Sequence, residues 1–290
     1  LYAKIVADHL NVNLKIIDAK NDILKDFDKV IYHLDEPQAD PAPINVYNIC
    51  KAARQDGIKV LIGGTAGDDI FSGYRRHQVL RYESIIDNVP VFIRKVVKKI
   101  ITNLDSQQPF LRRAKKLVSN FEKTREERMM RYFSWLNDET LRDLFLEPNN
   151  YNCYSYFDKL NKSIPHNTSD LNKMLFWEIN TFLTDHNLNY TDKLSMAVGV
   201  EVRVPYLDQE LVEFSTKIPE NLKLKGNETK YILKKVAEKY LPKDVIYRPK
   251  TGFGAPVRDW ILNDMDFLIE DYLSEESINK RGIFNFQKVS

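Results

Sequence analysis

The fold prediction for this chain rests on the stretch IKVLIGGTAGDDIFSGYRR (58–76). Its first five residues form a continuous apolar run, which is typical of a strand buried on both faces of a parallel sheet. Gly63 and Gly64 follow, and a helix is expected to begin at about Asp68 or Asp69. A strand that passes through a glycine turn into a helix predicts an α/β fold.

The same turn is the strongest local indication of a ligand site. Glycines allow a ligand to approach the backbone, and free N–H groups at such a turn suit a phosphate. Asp68 and Asp69 beside a phosphate would hold a magnesium ion, because magnesium bridges carboxylate and phosphate oxygens. A purely structural alternative stays open here: the glycines make a tight turn and the two aspartates offset the helix dipole. The stretch matches neither a Walker A loop nor a Gly-x-Gly-x-x-Gly fingerprint.

Upstream of the turn, apolar periodicity predicts a helix over 1–10, a short strand over 13–19, a helix from Asn21 to Leu34, and a helix over about 44–56. Pro37 should end the third of these elements, and Gly57 should close the fourth. The first helix is already under way at residue 1 without a cap or an initiator methionine. From this we expect a truncated chain.

Downstream, from about Tyr82, the signals are mostly helical. We therefore expect an α/β nucleotide-binding part over 1–80 and a mostly helical part over 81–290, without a clear seam between them. The segment 91–130 is strongly basic, but it lacks interleaved aromatic residues. The solvated face of surface helices explains it better than a nucleic-acid site does.

Composition excludes several classes of function. Among the 290 residues, 43 basic side chains face 41 acidic ones, so the formal net charge of +2 gives no reason to expect a nucleic-acid partner. No stretch approaches the roughly 20 apolar residues that a membrane span requires. The two cysteines and five histidines show no metal-binding spacing, and a reduced, cytoplasmic protein is the simplest interpretation.

Two further regions carry residues suited to chemistry. The stretch DKLSMAVGVEVRVPYLD (192–208) sets charges among apolar residues, which indicates buried, paired charges in either a structural cluster or a substrate pocket. Lys230 lies in GNETKYILKK, and Lys250 lies in the glycine-rich YRPKTGFGAP. A lysine on such a loop can neutralise charge that develops on a phosphate, although a surface lysine without a function would look the same.

These regions together resemble the synthetase domain of glutamine-hydrolysing asparagine synthases and of their β-lactam-forming relatives. The similarity runs from about residue 1 to about 262 and is weak over 85–170. Four segments carry it, in the family's order and spacing: LDEPQADP (34–41), GDDIFSGY (67–74), DKLSMAVGVEVRVPYLD (192–208) and YRPKTGFGAP (247–256).

The resemblance implies a parallel sheet of the PP-loop ATP-pyrophosphatase type, incomplete at its N-terminus. It further implies that ATP adenylates a carboxylate such as aspartate, that magnesium pyrophosphate leaves, and that ammonia from a glutaminase domain attacks the acyl-adenylate. The resemblance implies backbone contact with the nucleotide at Gly63 and Gly64, and magnesium binding at Asp68. It implies transition-state stabilisation by Lys250 and a phosphate contact by Lys230. Asp35 and Glu36 would lie at the nucleotide end of the sheet.

The sequence departs from the family in two respects. The Ser-Gly-Gly-x-Asp-Ser loop that grips pyrophosphate is absent from these residues, so we expect the chain alone to be inactive. Thr65 replaces an acidic residue thought to assist the amine, and threonine cannot take up a proton as a carboxylate would. The acceptor acid therefore stays open, with a sugar acid as one alternative, and so does a non-catalytic scaffold. A homodimer is likewise left open.

Overall fold

The structure is a computed structural model that describes residues 1–17, 23–104, 108–147, 152, 154–250 and 266–289. The chain forms two compact units, each with its own interior. The first unit combines Leu1–Tyr74 with Leu175–Asp266, and the second combines Arg75–Met174 with Phe267–Ser290. Whether function divides at residue 80, as the sequence suggests, stays a prediction.

The described sheet consists of two parallel strands in the first unit, β1 (Val60–Ile62) and β2 (Glu201–Arg203). Leu61 lies opposite Val202 in the ladder. The predicted strand at 58–62 is thus present, but burial on both of its faces is wrong, since Ile62 is 77% exposed. In this small sheet, no other described element covers the face that carries Ile62.

The first unit is otherwise helical. Before β1 come α1 (Tyr2–Leu10), α2 (Ile23–Leu34) and α3 (Ala42–Gln55). After it come α4 (Gly67–Ile70), a π-helix (Ile179–Leu188), α12 (Asn189–Met196), a 3₁₀ turn (Pro205–Leu207), α13 (Gln209–Lys217), α14 (Glu220–Lys223), α15 (Tyr231–Ala237) and α16 (Lys243–Ile246).

The predicted helix ends are confirmed where the chain is described. Helix α2 stops before Pro37, and α3 is followed by Gly57, whose φ of +78° suits a residue without a Cβ. The strand expected over 13–19 is wrong for residues 13–17, which form no regular structure, and residues 18 and 19 lie outside the described part. A strand needs a neighbour to complete its hydrogen bonds, and the described residues supply none there.

The helix expected from about Asp68 is a single turn in the structure. Helix α4 ends at Ile70, and Ser72 then adopts a φ of +64°, which interrupts the helical path before α5 (Arg75–Asn88) begins. Local apolar periodicity cannot reveal this break, because it depends on how the chain folds back on Asp68, as described below.

Among the described residues, the second unit contains α5 and, in whole or in part, nine further helices: α6 (Val91–Thr102), α7 (Pro109–Val118), α8 (Arg125–Arg131), α9 (Asp138–Leu144), α10 (Ser155–Asn161), the start of α11 (Asp170–Glu178), α17 (Asp266–Leu273), α18 (Glu275–Arg281) and α19 (Phe286–Val289). The described residues beyond 81 are thus mostly helical, as predicted. None of the helices in the described ranges is long and apolar enough to span a bilayer.

A buried ion pair joins α5 to α8 in this unit. The Arg128 guanidinium donates hydrogen bonds to the Glu83 carboxylate, to Asp87 at 2.6 Å and to the Lys123 carbonyl at 2.7 Å. The Tyr132 hydroxyl donates to the second oxygen of Glu83. We call Glu83, Asp87, Arg128 and Tyr132 the Glu83 cluster. Because each buried charge here has partners, the cluster can hold the two helices together.

The core of the first unit brings α2, α3 and α12 together. Val30, Leu34, Tyr47, Tyr190 and Leu194 are its large buried members. Tyr190 and Leu194 lie four residues apart, which places them on one face of α12. This packing fixes α12 against α2 and α3.

Candidate active site

The carboxyl end of β1 leads directly into the glycine turn. The Gly63 N–H donates to the Arg203 carbonyl at 2.8 Å, so this glycine still belongs to the two-stranded ladder. Gly64 is exposed, and a Cβ added there would meet nothing within 4 Å. The turn thus leaves backbone open to a ligand at Gly64, while the contact of either glycine with a nucleotide stays a prediction.

After α4 the chain folds back tightly on Asp68. The Gly73 N–H donates to the Asp68 carbonyl at 2.7 Å. A Cβ at Gly73 would lie 1.7 Å from the Asp68 Oδ1 atom, so no other residue fits without moving that carboxylate. Ser72, with its positive φ, makes the fold-back. This turn fixes where the Asp68 side chain points.

Two lysines from distant parts of the sequence meet at Asp68. The Lys230 ammonium lies 2.9 Å from Oδ1, and the Lys250 ammonium lies 2.9 Å from Oδ2 and 2.8 Å from the Gly73 carbonyl. Lys230 has a φ of +53° at the start of α15, an unusual conformation for a lysine. The structure thus brings together three of the residues that the sequence analysis selected. We call Asp68, Lys230 and Lys250 the Asp68 cluster.

The charges of this cluster do not cancel. Burial alone would raise the pKa of Asp68, but the ammonium groups of Lys230 and Lys250 outweigh it and hold that pKa below its usual value. Two ammonium groups against one carboxylate leave an excess of one positive charge. All three side chains stay partly exposed, between 28% and 38%. Such a site favours an anionic ligand that arrives from solvent.

Asp69 lies in a different setting from Asp68. Its side chain is buried, with 1% of the residue exposed, and the Tyr74 hydroxyl donates toward its two oxygens at 3.3 and 3.4 Å. The described residues contain no group of three or more His, Cys, Asp or Glu side chains arranged to hold a metal. Both Asp68 oxygens already face lysines, so a magnesium ion there would need phosphate oxygens as further ligands. Metal binding by Asp68 and Asp69 stays a prediction.

Asp35 and Glu36 lie in the exposed loop after α2. Asp35 has a φ of +61° and pairs with Lys193 of α12, whose ammonium lies 3.1 Å from Oδ2. Lys193 also donates to the Leu34 carbonyl at 3.0 Å. These contacts tie the loop to α12, and the place of Asp35 and Glu36 beside a nucleotide stays a prediction.

The sequence analysis missed a polar connection from the same loop. Asp40 accepts from the Ala42 N–H at 2.9 Å, and its other oxygen lies 2.9 Å from His186 Nε2. Burial raises the pKa of Asp40, but these hydrogen bonds outweigh it and lower that pKa overall. His186 belongs to the π-helix, a rare geometry often found at functional sites, which no local sequence pattern announces.

The predicted burial of charges in 192–208 is wrong. The structure makes part of this stretch into β2, where Arg203 pairs with Glu201 at 2.8 Å while both side chains stay exposed. Asp192 is also exposed, and Asp208 caps α13 by accepting from the Leu211 N–H. Because the two strands form a narrow sheet, the charged side chains of β2 reach solvent directly.

Comparison with known sequences identifies the family of the chain. The sequence profile described as asparagine synthase matches residues 1–290. The chain belongs to the asparagine synthase family. This family contains curated relatives that match most of the chain. Over 263 residues it is 28% identical to asparagine synthetase [glutamine-hydrolyzing] 1 of Bacillus subtilis, which covers 91% of the chain and 41% of that relative.

Two other members of the asparagine synthase family match less of the chain. A putative asparagine synthetase [glutamine-hydrolyzing] of Mycobacterium tuberculosis is 28% identical over 235 residues, which cover 80% of the chain and 35% of that protein. The asparagine synthetase [glutamine-hydrolyzing] of Gallus gallus is 29% identical over 137 residues, or 44% of the chain and 23% of that protein. The chain thus spans about two fifths or less of these relatives.

Proposed function

We propose that this chain is the part of an asparagine-synthase-type enzyme that uses ATP to form an amide. The single observation that carries the proposal is the Asp68 cluster, in which Lys250 and Asp68 meet although 182 residues separate them. An excess positive charge beside an open glycine turn suits a polyphosphate. We further propose that the two strands belong to a parallel sheet of the PP-loop type.

The proposed reaction has two steps. A carboxylate oxygen of the acceptor attacks the α-phosphorus of ATP, the bond to the β-phosphate breaks, and pyrophosphate leaves. Ammonia, supplied by a glutaminase domain, then attacks the acyl carbon, and AMP leaves as the amide forms. Lys230 and Lys250 would stabilise the charge that collects on the pyrophosphate oxygens, since preorganised cations act most strongly where charge develops.

Magnesium is the metal that this chemistry would use. Asp68 supplies a carboxylate next to the phosphate position, and magnesium commonly combines one or two carboxylates with phosphate oxygens. When bound, the metal would neutralise the leaving pyrophosphate. The lysines that face Asp68 would then turn toward the phosphates.

Thr65 favours a second candidate within the same reaction type. It is half-buried in the glycine turn and supplies a hydroxyl where the family resemblance leads us to expect an acid. We propose that the acceptor is a carboxylate other than aspartate, such as a sugar acid. Turnover by the natural full-length protein with a panel of carboxylates checks this, and a clear preference for aspartate would refute it.

The proposed role of Lys250 is tested by ATP–pyrophosphate exchange in the natural full-length protein. Replacing Lys250 with Ala should lower the exchange rate by about 10²–10³-fold, the usual loss for one group that stabilises developing charge. Lys235→Ala is a matched control, because Lys235 pairs with Glu238 and Tyr247 outside the Asp68 cluster. A Lys250→Ala rate within a few-fold of the control would contradict the assignment.

A further inference from the structure

The aromatic ring of Tyr74 lies against the ammonium group of Lys250. The Lys250 nitrogen is 4.6 Å from the centre of the ring, within the range of a cation–π contact. The same ammonium donates to Asp68 and to the Gly73 carbonyl. Two hydrogen-bond acceptors and an aromatic face therefore act together to orient this one charged group.

The far end of the Tyr74 side chain is held by polar groups. Its hydroxyl donates toward the buried carboxylate of Asp69 and accepts from the Asn187 side-chain amide at 3.2 Å. Asn187 in turn accepts from the Tyr190 hydroxyl at 3.4 Å. Burial, with the charges of Asp40 and Asp69, raises the pKa of Tyr190 to about 12. Tyr190 therefore stays a neutral donor at physiological pH.

A second contact limits the tilt of the ring. Phe182 of the π-helix meets Tyr74 edge to face, with ring centres 5.8 Å apart. Since Asn187 lies on the same π-helix, this one segment contacts both the ring and the hydroxyl of Tyr74. The ring contact and the hydrogen bonds at the hydroxyl together fix the orientation of the Tyr74 side chain.

We propose that Tyr74 is a positioning residue, which holds the Lys250 ammonium group toward Asp68 and is itself fixed by Asp69 and Asn187. For catalysis this rests on the proposed function, because it acts through Lys250. The aromatic face attracts the ammonium group and disfavours orientations that point away from Asp68. The buried Asp69 thereby acts on the site through Tyr74.

Competitive acetylation tests the contact without assuming any activity. The chain is treated with trace acetic anhydride at pH 8, and mass spectrometry gives the rate at each lysine. An ammonium group held by a carboxylate and an aromatic face reacts slowly, so the rate rises when those contacts loosen. Tyr74→Leu should raise the rate at Lys250 roughly 2–5-fold, as expected from losing one cation–π contact at a partly exposed site. Tyr74→Phe keeps the ring and should change the rate by less than about 2-fold.

Tyr247→Leu is the matched control. Tyr247 lies 5.5 Å from the ammonium groups of Lys234 and Lys235, so its loss should change those two lysines and leave Lys250 unchanged. An unchanged Lys250 rate in Tyr74→Leu would overturn the proposal, as would equal rates in the Leu and Phe variants. If Tyr74→Leu is unfolded at the assay temperature, Tyr74→Met replaces it under the same criteria.

Turnover separates this inference from the proposed function. In the natural full-length protein, Tyr74→Leu should lower kcat for ATP–pyrophosphate exchange by about 10-fold while KM for ATP changes less than about 2-fold, since a misplaced lysine affects the transition state most. Tyr74→Phe should recover most of the rate. If Tyr74→Leu changes the acetylation rate at Lys250 but the wild-type protein shows no exchange activity, the proposed function is refuted and the positioning contact still stands. A KM change as large as the kcat change would overturn the catalytic part of the inference.

Discussion

The two units of this protein each contain a cluster of charged side chains, and the two clusters differ in nearly every physical respect. In the Glu83 cluster, Arg128 and Glu83 are almost wholly buried, at 1% and 0% exposure. Burial alone would lower the pKa of Arg128, but Glu83 and Asp87 outweigh it and raise that pKa. In the Asp68 cluster the side chains are partly exposed, and positive charge is in excess.

The backbones that hold the clusters differ as well. Glu83 and Arg128 lie in the regular helices α5 and α8, and α8 begins with a capping box formed by Thr124 and Glu127. The Asp68 cluster depends on Ser72 and Lys230 at positive φ, a conformation that costs on the order of 1 kcal/mol or more for a non-glycine residue. Strain of this kind persists only where the surrounding structure enforces it.

The difference separates a cluster that stabilises the fold from one whose proposed role is to bind a ligand. A buried charge whose partners are complete has nothing left to offer a ligand, and its loss leaves an uncompensated charge in the interior. Open, unbalanced charges on strained backbone contribute little to stability but are ready for an anion. The four predictions below test this contrast through stability, from the largest expected effect to the smallest.

Arg128→Ala should lower the free energy of unfolding by about 3–5 kcal/mol, because it leaves Glu83 buried without its cation. Urea denaturation followed by circular dichroism measures the change. Arg131→Ala is the matched control, since Arg131 lies about one helical turn after Arg128 in α8 and pairs with Asp138, which is more exposed than Glu83. Equal losses in the two variants would remove the distinction between buried and open pairs.

Gly73→Ala should lower the free energy of unfolding by about 1–3 kcal/mol, the usual range for forcing atoms into occupied space. The new methyl group would meet the Asp68 carboxylate, so the fold-back turn has to move. Gly64→Ala is the control, because a Cβ there meets nothing within 4 Å. Melting temperatures of both variants suffice, and a neutral Gly73→Ala would show that the turn is not tightly held.

Lys223, in α14, is a buried cation like Arg128, but its pKa shifts in the opposite direction. Burial lowers the pKa of Lys223 to about 8, although Glu220 opposes the shift. The unfolded chain, in which a lysine has a pKa of about 10.4, therefore binds more protons than the folded chain between pH 8 and pH 10. The free energy of unfolding should therefore rise with pH in this window, by up to about 1.4 kcal/mol per pH unit. Lys223→Met should abolish the rise in urea titrations; an unchanged slope would contradict the prediction.

Asp68→Asn should have the smallest effect, below about 1 kcal/mol, because the pairs it removes are partly exposed. The pKa of Asp68 is lowered in the folded state, so its contribution is complete above the unfolded value of about 3.9 and is lost as the pH falls through the folded value. The difference between wild type and variant should therefore decrease as the pH falls below about 3.9, and it should also decrease in 1 M salt. A large, salt-independent difference at pH 7 would place Asp68 with the Glu83 cluster.

Much of the local structure could be predicted from the sequence. The stop of α2 before Pro37 and the cap at Gly57 follow from backbone restrictions that act within a few residues. The glycine turn after the strand could be predicted for the same reason, because it too depends on local backbone geometry. Motifs in a fixed order indicated the family, and they also led us to predict Lys230 and Lys250 as site residues.

The failures occurred where distant segments decide the structure. Residues 13–17 have a strand-like composition but no neighbouring strand among the described residues. The apolar run predicts that Ile62 is buried, although no described element covers it. The pairing of β1 with β2 and the π-helix at 179–188 are equally invisible to local periodicity. Tyr74 stood within a recognised motif, yet nothing in that motif indicated that its ring would contact Lys250.

The sequence by itself determined which residue types are available and where helices and turns begin and end, because those choices depend on short-range backbone geometry. Only the folded chain shows that Lys230 and Lys250 contact one carboxylate. It also shows that the Tyr74 ring contacts Lys250 and that the Tyr74 hydroxyl contacts Asp69. Those contacts depend on packing between segments far apart in the chain. Packing also set the exposure of each charge, and hence which cluster stabilises and which is open to a ligand.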